Sequence, residues 1–244
     1  TASSQSLTVR AGTGGNVSHT GAVGGTTQLA AYSITSANDF TAGAVTTTSF
    51  TQVAGSGTTT ITGRLTANGA GGVSLTGTNF ALSGGVDTAT GGAFTIDNSG
   101  AATFSGGASG RLLLDGAFTK NGAGGVSVGV DISTTDDNIS FNTGTLTMTA
   151  GATFGADTAT VTLNTTDING QNLTLVGNGI DFAGGADSVT GTGAGTLTLQ
   201  GATNATSIGV AGGAGTLDIS STDLAVLADE AVGSLVIGAA SGTG

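Results

Sequence analysis

The sequence predicts an all-β protein folded as a parallel β-helix, or β-solenoid, in which each coil of the chain is one rung. Short strands with period-two alternation occur along the whole chain, and apolar residues return at intervals of roughly 18–24 positions. Phe94 and Phe118 are 24 positions apart, as are Leu173 and Leu197. Rungs about 4.8 Å apart would share one core, giving roughly eleven rungs in a rod about 50 Å long. Antiparallel β-sandwich repeats are the alternative.

Each predicted strand alternates apolar residues with threonine, serine or aspartate, which is typical of a half-buried strand. Glycine, asparagine, aspartate and alanine separate the strands and are typical of tight turns. The predicted strands are 6–10, 58–62, 72–76, 93–97, 126–133, 138–141, 145–148, 160–164, 172–176, 196–200, 216–220 and 234–238. The stretch 221–234 is either a short helical turn, capped by serine or threonine before Asp223, or another strand and turn.

The composition indicates a packed protein despite its 47 glycines. Hydrophobic residues make up 37% and charged residues 8% of the chain, whereas disordered chains are usually charged and poor in apolar residues. Proline is absent, which suits strands paired on both sides, and cysteine is absent, so no disulfide framework forms. We expect residues 1–244 to be a single β-solenoid segment of a longer or processed chain, because neither end resembles a natural terminus.

The charge distribution excludes two classes of partner. The net charge is −11, and the four basic residues, Arg10, Arg64, Arg111 and Lys120, form no cluster in the sequence. Nucleic acids and anionic membrane surfaces both require clustered cations, so we expect neither as a partner. The longest apolar runs are too short to cross a membrane, so we expect no membrane insertion.

One segment of the sequence occurs twice. Stretches 63–77 and 116–130 align at an offset of 53, with nine of fifteen positions identical and NGAGGVS unbroken. A phosphate-binding glycine loop would lead into a helix, but both copies lead into a strand-like segment, and Lys120 precedes its glycines instead of following them. The sequence therefore predicts that both copies form the same corner of the solenoid, with an enlarged loop in one of the intervening units.

The residues supply little material for catalysis. His19 is the only histidine and there is no cysteine, so zinc sites and Ser-His-Asp triads are disfavoured, and we expect His19 to be exposed or stacked between rungs. Carboxylate pairs of the kind glycosidases use occur at 136–137, 181 with 187, and 229–230. Tryptophan is absent and Tyr32 is the only tyrosine, so a sugar-stacking cleft would be poorly equipped. We expect no enzyme activity.

Calcium is the one ion that the sequence suggests. The stretch 177–191 faintly resembles a calcium-binding β-helix repeat, and aspartate oxygens with turn carbonyls suit Ca²⁺. Asp181 and Asp187 are the weak candidate ligands, although they are six residues apart instead of nine. A solvated turn is the alternative, and the protein is expected to require no cofactor.

Threonine-rich stretches raise the question of ice binding. An ice-binding face would repeat a Thr-x-Thr motif at one fixed position of every rung. Here the threonine runs are scattered along a drifting period, so ordinary β-propensity explains them better.

Stretches 7–48, 114–154 and 215–244 resemble the repeats of filamentous-haemagglutinin-like, β-strand-repeat bacterial surface and secreted proteins. The resemblance implies a right-handed parallel β-helix, export to the cell surface or the extracellular space, and a role as a fibre or adhesin. It supplies no catalytic residues.

We therefore expect an extracellular structural rod, part of a bacterial fibre, filament, adhesin or matrix. Its partners would be further rungs or copies of itself joined head to tail, together with cell-surface or matrix ligands. A surface-binding module for glycan, ice or a host surface is the alternative function.

Overall fold

The computed structural model describes residues 5–239, which form a parallel β-solenoid of about nine turns. Each complete turn carries three short strands, one on each of three faces, and tight corners join the faces. Every strand pair within 5–239 is parallel, which confirms the solenoid and excludes the antiparallel sandwich. Inward side chains of all three faces meet in one continuous apolar core.

The strands fall into three stacks. The first face holds β1 (Ser6–Arg10), β3 (Ala31–Ser36), the second half of β5 (Val45–Gln52), the second half of β7 (Leu65–Gly77), β10 (Phe94–Asn98), β13 (Phe118–Asn121), β16 (Ile139–Phe141), β19 (Thr160–Leu163) and β22 (Gly179–Phe182). The second face holds β2 (Val17–His19), β4 (Phe40–Ala42), β6 (Thr58–Ile61), β8 (Asn79–Leu82), β11 (Ala102–Phe104), β14 (Val126–Val128), β17 (Leu146–Met148), β20 (Thr166–Asp167) and β23 (Val189–Thr190).

The third face begins with the first halves of β5 and β7, because these two long strands pass through a corner without interruption. It continues with β9 (Val86–Thr88), β12 (Leu112–Leu114), β15 (Ile132–Thr134), β18 (Ala152–Gly155), β21 (Leu173–Val176), β24 (Thr196–Gln200) and β27 (Ser234–Ile237). One predicted strand, 126–133, is divided between β14 on the second face and β15 on the third. The glycine of VSVGVDIS therefore marks a corner, which period-two alternation alone does not reveal.

The apolar recurrence in the sequence reflects the stacking register only in part. Phe94 pairs with Phe118 as the 24-residue interval predicts. Phe118 then pairs with Ile139, while Phe141 pairs with Lys120, so phenylalanine does not continue along this column. The rings still touch across columns, and the Phe118 and Phe141 centroids are 5.1 Å apart. The core therefore tolerates a drifting period, because large side chains in neighbouring columns can pack against each other.

The last turn is enlarged. Leu173 and Leu175 pair with Leu197 and Leu199, as predicted, but the next pairing partners are residues 235 and 237, 38 positions further on. The additional residues form the two-stranded ribbon of β25 (Ile208–Val210) and β26 (Leu217–Ile219), and the helix α1 (Ser221–Leu224). There are about nine turns instead of the eleven expected, and this enlargement accounts for part of the difference. The stack is therefore about 40 Å long at the usual strand spacing.

Helix α1 settles the ambiguity at 221–234. Ser220 is its N-cap, and a complete capping box forms: the Ser220 hydroxyl accepts from the Asp223 N–H, and the Asp223 carboxylate accepts from the Ser220 N–H. Val226 and Ile219 on either side of the helix are fully buried. The enlarged turn therefore covers the core at this end of the solenoid.

Candidate functional site

The two copies of NGAGGVS occupy different corners. In the first copy the glycines lie inside β7, where the third face turns into the first, and Val73 begins the first-face segment. In the second copy they lie between β13 and β14, where the first face turns into the second, and Val126 begins the second-face strand. The prediction of one recurring corner is wrong. The 53-residue offset spans two turns plus one face, so no enlarged unit is needed to explain it.

The glycine corner of the second copy binds the ammonium group of Lys120. Lys120 points into the core from β13 and is fully buried. Its ammonium donates hydrogen bonds to the carbonyl oxygens of Gly122 (2.7 Å), Thr143 (2.7 Å) and Gly124. Burial lowers the pKa of Lys120, and the negative charge of Asp97 partly opposes that shift. The glycine corner thus presents carbonyl oxygens to its interior, which suits a cation and not a phosphate.

Two other buried polar side chains serve the same edge of the first face. The amide of Gln52 donates to the Thr76 carbonyl at 3.4 Å and accepts from the Thr59 hydroxyl at 2.7 Å. The Asn98 amide donates to the carbonyls of Gly100 (2.6 Å) and Gly125 (3.0 Å). The corner between the first and second faces is therefore held by side chains that supply donors to buried carbonyls.

At all three corners, half-buried or exposed polar side chains also bind the backbone of the next turn. Asn79 Oδ1 accepts from Ala101 N at 2.8 Å, and Asn172 Oδ1 accepts from Thr196 N at 2.9 Å. Asp136, one of the paired carboxylates, bonds the N–H (3.3 Å) and the hydroxyl (2.5 Å) of Thr158 in the same way. These side chains supplement the strand ladders at turns, where backbone groups lack partners.

The candidate calcium ligands lie on two different elements. Asp181 points outward from β22 and is exposed. Asp187 lies at the following corner with a φ of 56°, and its backbone N–H donates to Ala225 O at 3.3 Å. Within residues 5–239 no three or more histidine, cysteine or acidic side chains come together as a metal-binding group. Calcium binding at Asp181 and Asp187 stays a prediction. Asp229 and Glu230 are both exposed.

His19 packs at the N-terminal end of the core. Its Nε2 shares a hydrogen bond with the hydroxyl of Tyr32 one turn above, and its ring lies edge-on to Tyr32 and Phe40, with centroids 5.8 Å away in each case. Tyr32 is fully buried, and burial raises its pKa well above the usual value. His19 is thus stacked against the next rung of the solenoid.

Hydroxyl groups form a column on the outside of the first face. Eight successive turns place serine or threonine at one register position, namely Thr8, Ser33, Thr51, Ser74, Thr95, Thr119, Ser140 and Thr162. The threonine runs of the sequence are scattered, but the strand register brings single serines and threonines of successive turns into this column. The column is single, because Asp97 and Asn121 occupy the next outward position, so it does not form a Thr-x-Thr array.

A groove runs over the outside of the third face, and sequence reasoning missed it. It consists of two adjoining hollows of about 420 Å³ each, which share Leu113 and Ser133; we call them together the third-face groove. Asp131 and Asp157 line one hollow and Asp115 lines the other. The available signal was RLLLD, in which three consecutive leucines break the alternation and force Leu113 outward.

Comparisons with known proteins gave no assignment: no family model, no curated protein and no solved structure matches this chain. The class defined by the structure is that of a parallel β-solenoid. In the part of the chain that the structure describes, no helix is long and apolar enough to span a membrane.

Proposed function

We propose that this chain is a stiff structural segment of an extracellular bacterial fibre, adhesin or matrix protein. The observation that carries the proposal is the continuous parallel strand pairing of all three faces over about nine turns. Each turn is bonded to its neighbours by ladder hydrogen bonds and shares one core with them, so bending or stretching the rod would break many contacts at once. The proposed family resemblance supplies the extracellular setting.

The two ends of the rod differ in a way that supports assembly. At the C-terminal end the enlarged turn, with α1 and the β25–β26 ribbon, lies against the core. At the other end, no described residue pairs with the outer edge of β1 or β2, and Leu7 and Val9 are only partly buried. A free parallel edge is a template for another strand. We propose that further rungs or the end of a second copy join there, head to tail.

The hydrogen-bonding direction of β1 shows how to test this joining. Gln5 O accepts from Ala30 N, and Ala11 N donates to Ser36 O, so odd-numbered residues of β1 face β3. Because adjacent residues of a strand point their N–H groups to opposite sides, Thr8 faces the free edge. Proline at that position removes an edge donor without breaking a bond to β3.

The experiment compares wild type, Thr8→Pro and the matched control Thr8→Val by light scattering and negative-stain imaging at high concentration. We expect wild type and Thr8→Val to form linear assemblies and Thr8→Pro to remain single rods. Wild-type protein that stays as single particles would refute head-to-tail assembly. Equal assembly of all three would show that the β1 edge is not the joint.

A further inference from the structure

The third-face groove combines an exposed leucine with a gap in the outward side chains. Leu113 and the outward residues paired with it on neighbouring turns form one column of the third face. These neighbours are mostly small or polar, whereas Leu113 is a large apolar residue and is 36% exposed. Two turns further on, the column reaches Gly155, between Ser133 and Val176. A Cβ at Gly155 would meet no atom within 4 Å, so the missing side chain leaves open space beside Ser133. The groove is thus an apolar ridge next to a gap in the side-chain column.

Carboxylates surround Leu113 and the gap at Gly155. Asp131 Oδ1 accepts from Thr153 N at 2.8 Å, and Asp115 Oδ2 accepts from Gly91 N at 2.9 Å, which fixes both side chains at the corners of the face. Asp157 is exposed and adopts a left-handed backbone conformation with φ of 52°. Arg111 is the only basic residue lining the groove, and its Nε is bonded to Ala108 O within its own corner loop. The lining therefore carries a net negative charge.

The charge decides which occupant suits the groove. The groove lining is negative and the whole chain carries −11, so an anionic ligand, or the acidic surface of a second copy, is disfavoured as the occupant of this groove. All nine phenylalanines and Tyr32 are buried, so no exposed aromatic ring from these residues is available for a sugar to stack on. An aliphatic ridge between fixed carboxylates instead complements a chain with alternating aliphatic and cationic side chains.

We propose that the third-face groove binds an extended basic segment of another polypeptide. Aliphatic side chains of the segment pack on Leu113 and fill the gap at Gly155, while lysine or arginine side chains meet the surrounding carboxylates. The proposal goes beyond the structural role and does not depend on it, since a single unassembled rod carries the whole groove.

The test titrates the protein with a blocked five-residue peptide of alternating lysine and leucine, at an ionic strength that screens long-range attraction. Gly155→Val introduces the residue found one turn above and places a side chain in the gap, where its Cβ would meet no atom within 4 Å. Asp131→Asn with Asp157→Asn removes two groove charges, keeps an acceptor for Thr153 N, and places at 157 a residue that tolerates left-handed geometry. The matched control, Asp181→Asn with Asp229→Asn, removes two exposed charges elsewhere.

We expect wild type and the control to bind the peptide alike, and both groove variants to bind at least about tenfold more weakly. Circular dichroism and thermal unfolding check that each variant is folded. Three results would each overturn the proposal: no binding by wild type, equal weakening by the control pair, or undiminished binding by Gly155→Val. A glutamate–leucine peptide or a neutral oligosaccharide that binds in place of the basic peptide would do so as well.

Discussion

At the scale of single residues, the buried lysine is the feature that the sequence hid. Lys120 occupies an inward position between Ile96 below and Phe141 above. The alternation of β13 places residue 120 at an inward position, whereas a charged lysine would ordinarily be expected at an outward one. Only the corner carbonyls explain it, because a buried ammonium needs acceptors on all sides.

Replacing this lysine by an apolar side chain of similar length should be costly. In Lys120→Met the carbonyls of Gly124 and Thr143 lose the ammonium donor, whereas Gly122 O keeps its bond from the Thr143 hydroxyl at 2.6 Å. Each buried carbonyl left without a donor costs about 1–3 kcal/mol. We therefore expect the free energy of unfolding to fall by about 3 kcal/mol in denaturant titrations.

The control is Ile96→Met, one turn below in the same column. It changes shape but removes no donor, so its cost should stay below about 1.5 kcal/mol. If the lysine variant proved as stable as this control, the carbonyl cage would contribute nothing.

Tyr32 should make the protein sensitive to alkali. Burial raises its pKa in the folded state, whereas in the unfolded chain it ionises near pH 10. A group whose pKa is raised by folding contributes stability below its unfolded pKa, and that stability is lost as pH rises above it. The free energy of unfolding of wild type should thus decline above about pH 10.

The comparison for this prediction is Tyr32→Phe, which cannot ionise. Lys120 is present in both proteins, so its own titration cancels in the difference. The gap between the two stability curves should change above about pH 10 and be constant just below it. Parallel curves throughout the alkaline range would contradict the assignment.

At the scale of elements, the two copies of NGAGGVS show that identical sequence segments can adopt different structures. Gly72 in the first copy has a φ of 55°, and a Cβ there would lie 2.1 Å from Ala93 O. Its counterpart Gly125, 53 positions later, does not adopt a positive φ, and a Cβ there would come no closer than 3.4 Å to its nearest neighbour, Thr145 O. Glycine is therefore required at position 72 and replaceable at position 125.

Alanine substitutions at these two glycines test that difference. Gly72→Ala combines a strained backbone with a clash against a neighbouring strand, so it should lower the free energy of unfolding by about 2–3 kcal/mol. Gly125→Ala should change it by less than about 1 kcal/mol in either direction. Thermal unfolding of both variants measures this, and similar losses would show that the corners are equivalent after all.

The strands themselves could be predicted from sequence because alternation is a local property. Segments 6–10 and 196–200 match β1 and β24 in full. Short second-face strands such as β20, with two residues, were missed because two residues cannot display a period. The third-face groove escaped for another reason: its lining comes from several turns, and only the register brings Leu113 and Gly155 onto one face.

At the scale of the whole molecule, the fold class followed from recurrence but the number of turns did not. Dividing the chain by one average interval assumes equal turns, whereas the register steps vary and the last is 38 residues long. The insertion carries its own ribbon and helix, so it adds residues without adding height to the rod. Length in sequence and length in space are therefore separate quantities in this protein.

The placement of the two NGAGGVS copies at different corners has a consequence for the gene. An unequal crossover between the two copies would delete residues 69–121 and join the entry of one corner to the exit of another. Every strand downstream would be rotated around the rod axis by one face, and each inward column would meet new neighbours. Such a gene can lengthen or shorten its product in register only through exchanges that comprise whole turns, so these two matching segments are unsuitable breakpoints despite their identity.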